Sequence, residues 1–180
     1  LIIPVGNAGN ISAYWKGFNE LVILGMAESK PHMIGVQAEG AKPIVNAFNS
    51  GASIIKPLSQ VETVATAIRI GNPVNWRRAL NAIRESGGLA EAVSDDEILE
   101  AQRLLASKEG IFVEPASAAP IAYLIKAMNE GSLIERDDKV VCIATGHGLK
   151  DPQIAIKQSS KPIEVDANID EVEKVLGKVL

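Results

Sequence analysis

Two glycine-rich segments have residue types and positions suited to chemistry. The first, Gly6-Asn7-Ala8-Gly9-Asn10, separates a short apolar run from a stretch of helical spacing. A helix amino terminus carries free N–H groups and a partial positive charge, so it attracts an anion such as phosphate. Glycine lets the backbone close on that anion without side-chain collision, and asparagine adds a donor or accepts a left-handed turn. The segment has neither the lysine of a nucleotide P-loop nor the third glycine of a dinucleotide fingerprint. A phosphate is compatible with it, whereas a nucleotide is not indicated. Its plainest structural role is a tight strand–helix turn with Asn10 as N-cap. The second segment, Thr145-Gly146-His147-Gly148-Leu149-Lys150-Asp151-Pro152, follows the most apolar strand candidate. Ligands of open α/β sheets collect at the carboxyl ends of strands, where Thr145 and His147 would sit. As structure alone it is a glycine-rich exit turn with His147 exposed.

Two further stretches carry weaker signals. Glu114-Pro115-Ala116-Ser117-Ala118-Ala119 reads as a Pro-started helix whose small residues either pack closely or leave room for a flat ligand. Ala67-Ile68-Arg69-Ile70-Gly71-Asn72-Pro73 reads as a helix stop. Metal chemistry lacks support, because neither His32 nor His147 has a carboxylate or Cys at ligand spacing. A serine hydrolase lacks support as well, since no Ser stands in a Gly-x-Ser-x-Gly elbow. Cys142, inside an apolar strand, reads as a core thiol. The charges at Arg77, Arg78, Glu97 and Glu100 read as solvated helix surface.

The elements that must position these residues alternate between strands and helices. Residues 1–5, 33–38, 89–93 and 139–145 read as strands, the last (Val140-Val141-Cys142-Ile143-Ala144) as the clearest central one. From Asn10 onward Ile11, Tyr14, Trp15, Phe18 and Val22 recur at steps of three and four, a helical face. Pro43 opens a short helix ended near Gly51, and residues 60–70 and 75–85 read as two more. Ser94-Asp95-Asp96-Glu97 is a capping box that starts a helix carrying Ile98, Ala101 and Leu105 on one face. Pro115 begins the next, which runs to Gly131. Apolar strands separated by helices predict an α/β fold, a parallel sheet flanked by helices on both faces. After Lys161 the pattern predicts an exposed tail ending in an amphipathic helix with Ile169, Val172, Leu176 and Val179 in register. That helix packs either back onto the body or onto a part of the molecule outside this chain.

Composition narrows the function classes. The 180 residues carry 18 Lys+Arg against 22 Asp+Glu, a formal net charge of −4, and 47% are hydrophobic. That balance supplies a core and argues against disorder. An acidic chain with seven aromatics (two Trp, two Tyr, three Phe) gives neither a basic field nor stacking platforms, so a nucleic-acid partner is not expected. A single Cys suits a reducing compartment. No apolar run approaches the ~20 residues needed to span a bilayer, so no membrane partner is expected. The chain opens on Leu1, directly on an apolar run, and reads as a piece of something longer.

In this order, five stretches resemble those of threonine synthases, pyridoxal-phosphate enzymes of fold type II. They are Pro4-Val5-Gly6-Asn7-Ala8-Gly9-Asn10-Ile11, Gly35-Val36-Gln37-Ala38, Ala65-Thr66-Ala67-Ile68-Arg69-Ile70-Gly71-Asn72-Pro73, Glu114-Pro115-Ala116-Ser117 and Thr145-Gly146-His147-Gly148-Leu149-Lys150. The resemblance covers about residues 1–152 and implies a tryptophan-synthase-β-like fold. It implies pyridoxal 5'-phosphate as cofactor, its phosphate held by Gly6, Asn7, Ala8, Gly9 and Asn10 and its pyridine nitrogen hydrogen-bonded by Thr145. The implied reaction converts O-phospho-L-homoserine and water to L-threonine and phosphate, in a cytoplasmic homodimer. In that family the Schiff-base lysine stands well before the Gly-Asn-Ala-Gly-Asn loop, so here no catalytic residue is expected. Residues 1–160 are then a partial cofactor-binding domain, residues 161–180 a tail, and the chain alone is expected to be inactive. Two alternatives stay open: another fold type II enzyme such as a threonine dehydratase or cysteine synthase, or a non-catalytic phosphate-ligand binding module.

Overall fold

The computed structural model describes residues 1–159 and 161–179. At its centre three parallel strands, β1 (Ile2–Pro4), β2 (Ile34–Ala38) and β3 (Ala90–Val93), lie in the order β1-β2-β3. Ile2 pairs with Ile34, and Gly35 with Ala90. Successive side chains of a strand point to opposite faces, and the apolar runs divide accordingly. Ile3 and Val5 join Ile11, Trp15, Ile44, Leu80 and Ile83 on one side. These come from α1 (Gly9–Ile23), α2 (Pro43–Asn49) and α3 (Trp76–Glu85). Ile2, Ile34, Val36 and Val93 join Ile98, Ala118, Ala119 and Ala122 on the other. That second cover is α4 (Asp95–Leu104) and α5 (Pro115–Glu130), whose alanines let it lie close beneath the strands. The expected helix-covered parallel sheet is what forms.

Local chemistry explains several boundaries. The Ser94 hydroxyl accepts from the Glu97 amide at 3.2 Å, and the Glu97 carboxylate accepts from the Ser94 amide at 2.6 Å, which is the capping box read from the sequence. α2 has no side-chain cap of its own at Lys42. Buried Gln37 supplies one from β2, its Oε1 accepting from the amides of Ile44 (2.9 Å) and Val45 (3.2 Å).

Three expectations are corrected. Residues 60–70 do not form a helix and hold only one 3₁₀ turn, Thr66–Ile68. The reason is Asp95, whose carboxylate takes the Thr63 hydroxyl at 2.5 Å and the Val64 amide at 3.0 Å, while the Glu62 amide donates to the Gly40 carbonyl. Those bonds replace the intrahelical ones. The 139–145 segment is not a central strand. It makes one parallel bridge, Ile2 with Cys142, on the outer side of β1. The Ile2 amide donates to the Val141 carbonyl and the Ile143 amide to the Ile2 carbonyl, both at 2.9 Å. With no strand on its other side among the described residues, the ladder stops there and Val141 stays half-exposed. Third, Asn10 is not the cap of α1. The helix begins at Gly9 behind Ala8, a left-handed residue at φ 63°.

Two more helices follow, α6 (Pro152–Gln158) and α7 (Ile169–Val179). Ile169, Val172 and Leu176 of α7 are exposed, so this amphipathic helix does not bury its apolar face on the body. Val179, the fourth residue of that stripe, has a side chain outside the described set.

Candidate functional site

Parallel pairing decides where the two glycine-rich segments end up. β1 and the Cys142 segment run the same way, side by side, so their carboxyl ends open at the same edge of the sheet. Gly6 leaves one and Thr145 the other. Between them lies a cleft of about 350 Å³ lined by all six residues singled out for the cofactor, Gly6, Asn7, Ala8, Gly9, Asn10 and Thr145. Ala67, Ile68 and Ile70 form another wall, and Glu114, Ala116 and Lys150 close the far side. A larger groove of about 520 Å³ runs between α1 and α3, and of those six it touches only Gly9.

The loop end of the cleft suits an anion. Among the described residues, the amides of Gly6, Asn7 and Ala8 donate to no protein acceptor, and they lead into the first turn of a 15-residue helix. Such amides at a helix amino terminus are the usual cradle of a phosphate. A Cβ on Gly6 would stand 2.8 Å from the Ala67 carbonyl oxygen and 3.2 Å from the Ile68 Cα, so only glycine lets the loop lie against that wall. The positive φ of Ala8 costs roughly 1–2 kcal/mol in a residue with a side chain. Local bonds hold it: the Ser12 hydroxyl donates to the Ala8 carbonyl at 2.6 Å, and the Asn75 amide donates to the Asn7 carbonyl at 3.1 Å. Behind the loop, the Gln37 amide group donates to the Val5 carbonyl at 3.3 Å.

The opposite end is neutral and hydroxylic. Thr145 Oγ1 lies 2.8 Å from the Oγ of Ser117, which also accepts from the amides of Thr145 (3.1 Å) and Gly146 (2.7 Å). Ser117 is fully buried on α5, and the sequence reading missed it because a Ser among alanines looks like packing. The available signal was that a hydroxyl on a buried face needs partners. Glu114, the residue before Pro115, was also not assigned a role. Its carboxylate is 5% exposed and is paired at 3.1 Å with Lys150, which is 60% exposed. A Cβ on Gly146 would collide with the Glu114 carboxylate and displace it from its pairing with Lys150.

His147 takes no part in the cleft. Its Nδ1 accepts from the Leu149 amide at 3.1 Å and its ring meets Phe112 edge-on at 5.6 Å, which shapes the turn after Thr145. The Thr66 hydroxyl donates to the Asp151 carboxylate at 3.0 Å and ties that turn to the 65–73 stretch. Cys142 donates to the Pro120 carbonyl at 3.8 Å, and burial pushes its thiol up to about 11. It sits away from the cleft lining. No cluster of metal-ligating side chains occurs among the described residues.

Residues 1–146 match the family model described as pyridoxal-phosphate dependent enzyme. The threonine synthase of Methanocaldococcus jannaschii is 59% identical over 179 residues, which is 99% of this chain and 44% of that protein. The threonine synthase of Methanosarcina acetivorans is 60% identical over 179 residues, with the same two coverages. The crystal structure of threonine synthase from Escherichia coli superposes with a TM-score of 0.64 at 17% identity, covering 99% of this chain and 44% of that one, a likeness of fold. The chain thus spans 44% of the length of these curated relatives. A cleft with a loop of free amides at one end and a buried-serine-backed hydroxyl at the other agrees with the match: the chain belongs to the pyridoxal-phosphate dependent enzymes.

Proposed function

We propose that this chain is the carboxyl-terminal part of a threonine synthase, which converts O-phospho-L-homoserine and water to L-threonine and phosphate. The observation that carries the reading is the convergence of the 6–10 loop and Thr145 on one cleft. The identity of 59% to a curated threonine synthase supports this activity over the others of the fold. In this reading residues 1–160 are part of the cofactor-binding domain, residues 161–180 are a tail, and the intact enzyme is a cytoplasmic homodimer. No helix of the described residues is long and apolar enough to cross a membrane.

Pyridoxal phosphate, when bound, supplies a conjugated ring that withdraws electrons from the substrate carbons. The 6–10 loop, with the free amides of Gly6, Asn7 and Ala8, would hold its phosphate, aided by the positive end of α1. Thr145 meets the ring nitrogen with a hydroxyl and imposes no charge on it. Ile68 and Ala116 give the cleft apolar lining that would limit water around a bound ring. Lys150 neutralises Glu114, so the buried carboxylate does not repel an anionic ligand.

The test is an assay of the full-length protein with O-phospho-L-homoserine, following phosphate and threonine together. Equal release of both is expected. Deamination of L-threonine in its place would assign the protein to the dehydratases, and no turnover would favour a phosphate-ligand binding module. The 180-residue chain alone, with pyridoxal phosphate added, should release no phosphate above a protein-free control.

A further inference from the structure

The hydrogen-bond arithmetic around Ser117 has a consequence for Thr145. A serine hydroxyl has one proton to donate and two lone pairs to accept with. Ser117 Oγ receives the Thr145 amide at 3.1 Å and the Gly146 amide at 2.7 Å, and an amide N–H only donates. Both lone pairs are therefore taken. The third contact, 2.8 Å to Thr145 Oγ1, is compatible by distance with either direction, but only the Ser117 proton is left to make it. Among the described residues Ser117 Oγ makes no hydrogen bond to a backbone carbonyl. Ser117 is the donor and Thr145 the acceptor. Thr145 keeps its own proton, which cannot turn back onto Ser117 and has no other acceptor among the described residues.

We propose that Ser117 is a positioning residue that fixes the Thr145 hydroxyl as a hydrogen-bond donor into the cleft. It thereby selects a ligand atom that accepts, such as an aromatic ring nitrogen without a proton. The inference rests on the functional reading above, with pyridoxal phosphate as the occupant. Were the ring nitrogen protonated, its N–H would face the Thr145 O–H that Ser117 holds towards the cleft, two donors with no acceptor between them. Such a pair makes no hydrogen bond, so the unprotonated nitrogen is favoured. Full burial makes the device rigid, since Ser117 has no water with which to exchange its partners. α5 carries Ser117 while Thr145 follows the Cys142 segment, so the polarity depends on two separate elements meeting.

The experiment uses the full-length protein loaded with pyridoxal phosphate labelled with nitrogen-15 in the ring. In the unsubstituted protein the ring nitrogen should show no directly bonded proton from pH 6 to pH 9. Ser117→Ala removes the group that holds the Thr145 proton towards the cleft, so an unprotonated nitrogen loses its oriented donor, and the midpoint for ring protonation should rise by about one pH unit or more, a tenfold change in the protonated fraction. Thr145→Ser keeps the hydroxyl and should leave the ring-protonation midpoint where the parent has it. With Thr145→Val in place, adding Ser117→Ala should move the midpoint no further, because the group through which Ser117 acts has gone. An equal shift in the Val background would show a merely structural effect and overturn the proposal. So would a ring nitrogen carrying a proton at neutral pH in the parent, a measurement that stands even if Ser117→Ala does not fold. A full-length protein that takes up no cofactor would refute the functional reading itself, and this one with it.

Discussion

Replacing Gly9 with Asp puts a negative charge beside the 6–10 loop with little steric disturbance. A Cβ on Gly9 would have one neighbour within 4 Å, the Asn75 Nδ2 at 3.9 Å, so the new side chain enters open space. Gly9 is the first residue of α1 and is not among the positive-φ glycines, so a residue with a side chain fits its backbone. An acidic residue in the first helical turn favours the helix by about 0.3–1 kcal/mol. Fold stability should therefore be unchanged or slightly higher. For a bound phosphate the sign is opposite. Two unit charges about 5 Å apart interact by roughly 3 kcal/mol at an effective dielectric of about 20, and by under about 1 kcal/mol in bulk water. Asn7, Gly9 and Asn10 are exposed, which lowers the repulsion, while a phosphate monoester charge near −2 raises it. The balance is roughly 1.4–2.8 kcal/mol, or about ten- to a hundredfold in affinity. The full-length Gly9→Asp and Gly9→Asn proteins would be titrated with pyridoxal phosphate by absorbance and melted by circular dichroism. The Asp variant should melt at or above the parent and bind ten- to a hundredfold more weakly than the Asn variant. Equal affinity in two folded variants would refute the anion-grip reasoning and leave the loop as a turn.

Thr145→Val keeps the shape and removes the hydroxyl, which should cost about 1–2 kcal/mol of cofactor affinity or activation free energy in the intact enzyme; unchanged titration and unchanged turnover would remove Thr145 from the site. Ser94→Ala deletes half of the α4 capping box and should lower stability by about 1 kcal/mol, read as a lower denaturant midpoint at constant slope. Cys142 is raised from 9.0 to about 11 by burial, so the folded state holds its proton longer than the unfolded one. Its contribution to stability is then complete below about pH 9 and is lost as pH rises towards 11. Alkylation of the folded protein near pH 8 should accordingly be far slower than that of the urea-unfolded chain, and equal rates would contradict the burial.

The α/β class was legible because burial on both faces of a sheet forces near-continuous apolar strands, and helices between them keep a 3.6-residue period. The Ser94 box and the Pro115 start were legible for a similar reason: each rests on atoms within a few residues of one another. Periodicity failed where a distant group competed. Residues 60–70 have helical spacing, yet the Asp95 carboxylate, some thirty residues on, takes the polar groups of Thr63 and Val64. The 139–145 run looked central because it is apolar, but apolarity reports burial and not neighbours, and among the described residues it has a partner strand on one side alone. The site divides along the same line. The 6–10 loop and Thr145 could each be picked out as glycine-punctuated turns after strands. Their meeting in one cleft depends on Ile2 pairing with both Ile34 and Cys142, contacts between residues far apart in the chain. Ser117 and Glu114 belong wholly to the tertiary structure, because what they do depends on Thr145, Gly146 and Lys150, which lie roughly thirty residues away in sequence and come within hydrogen-bond distance only when the chain folds.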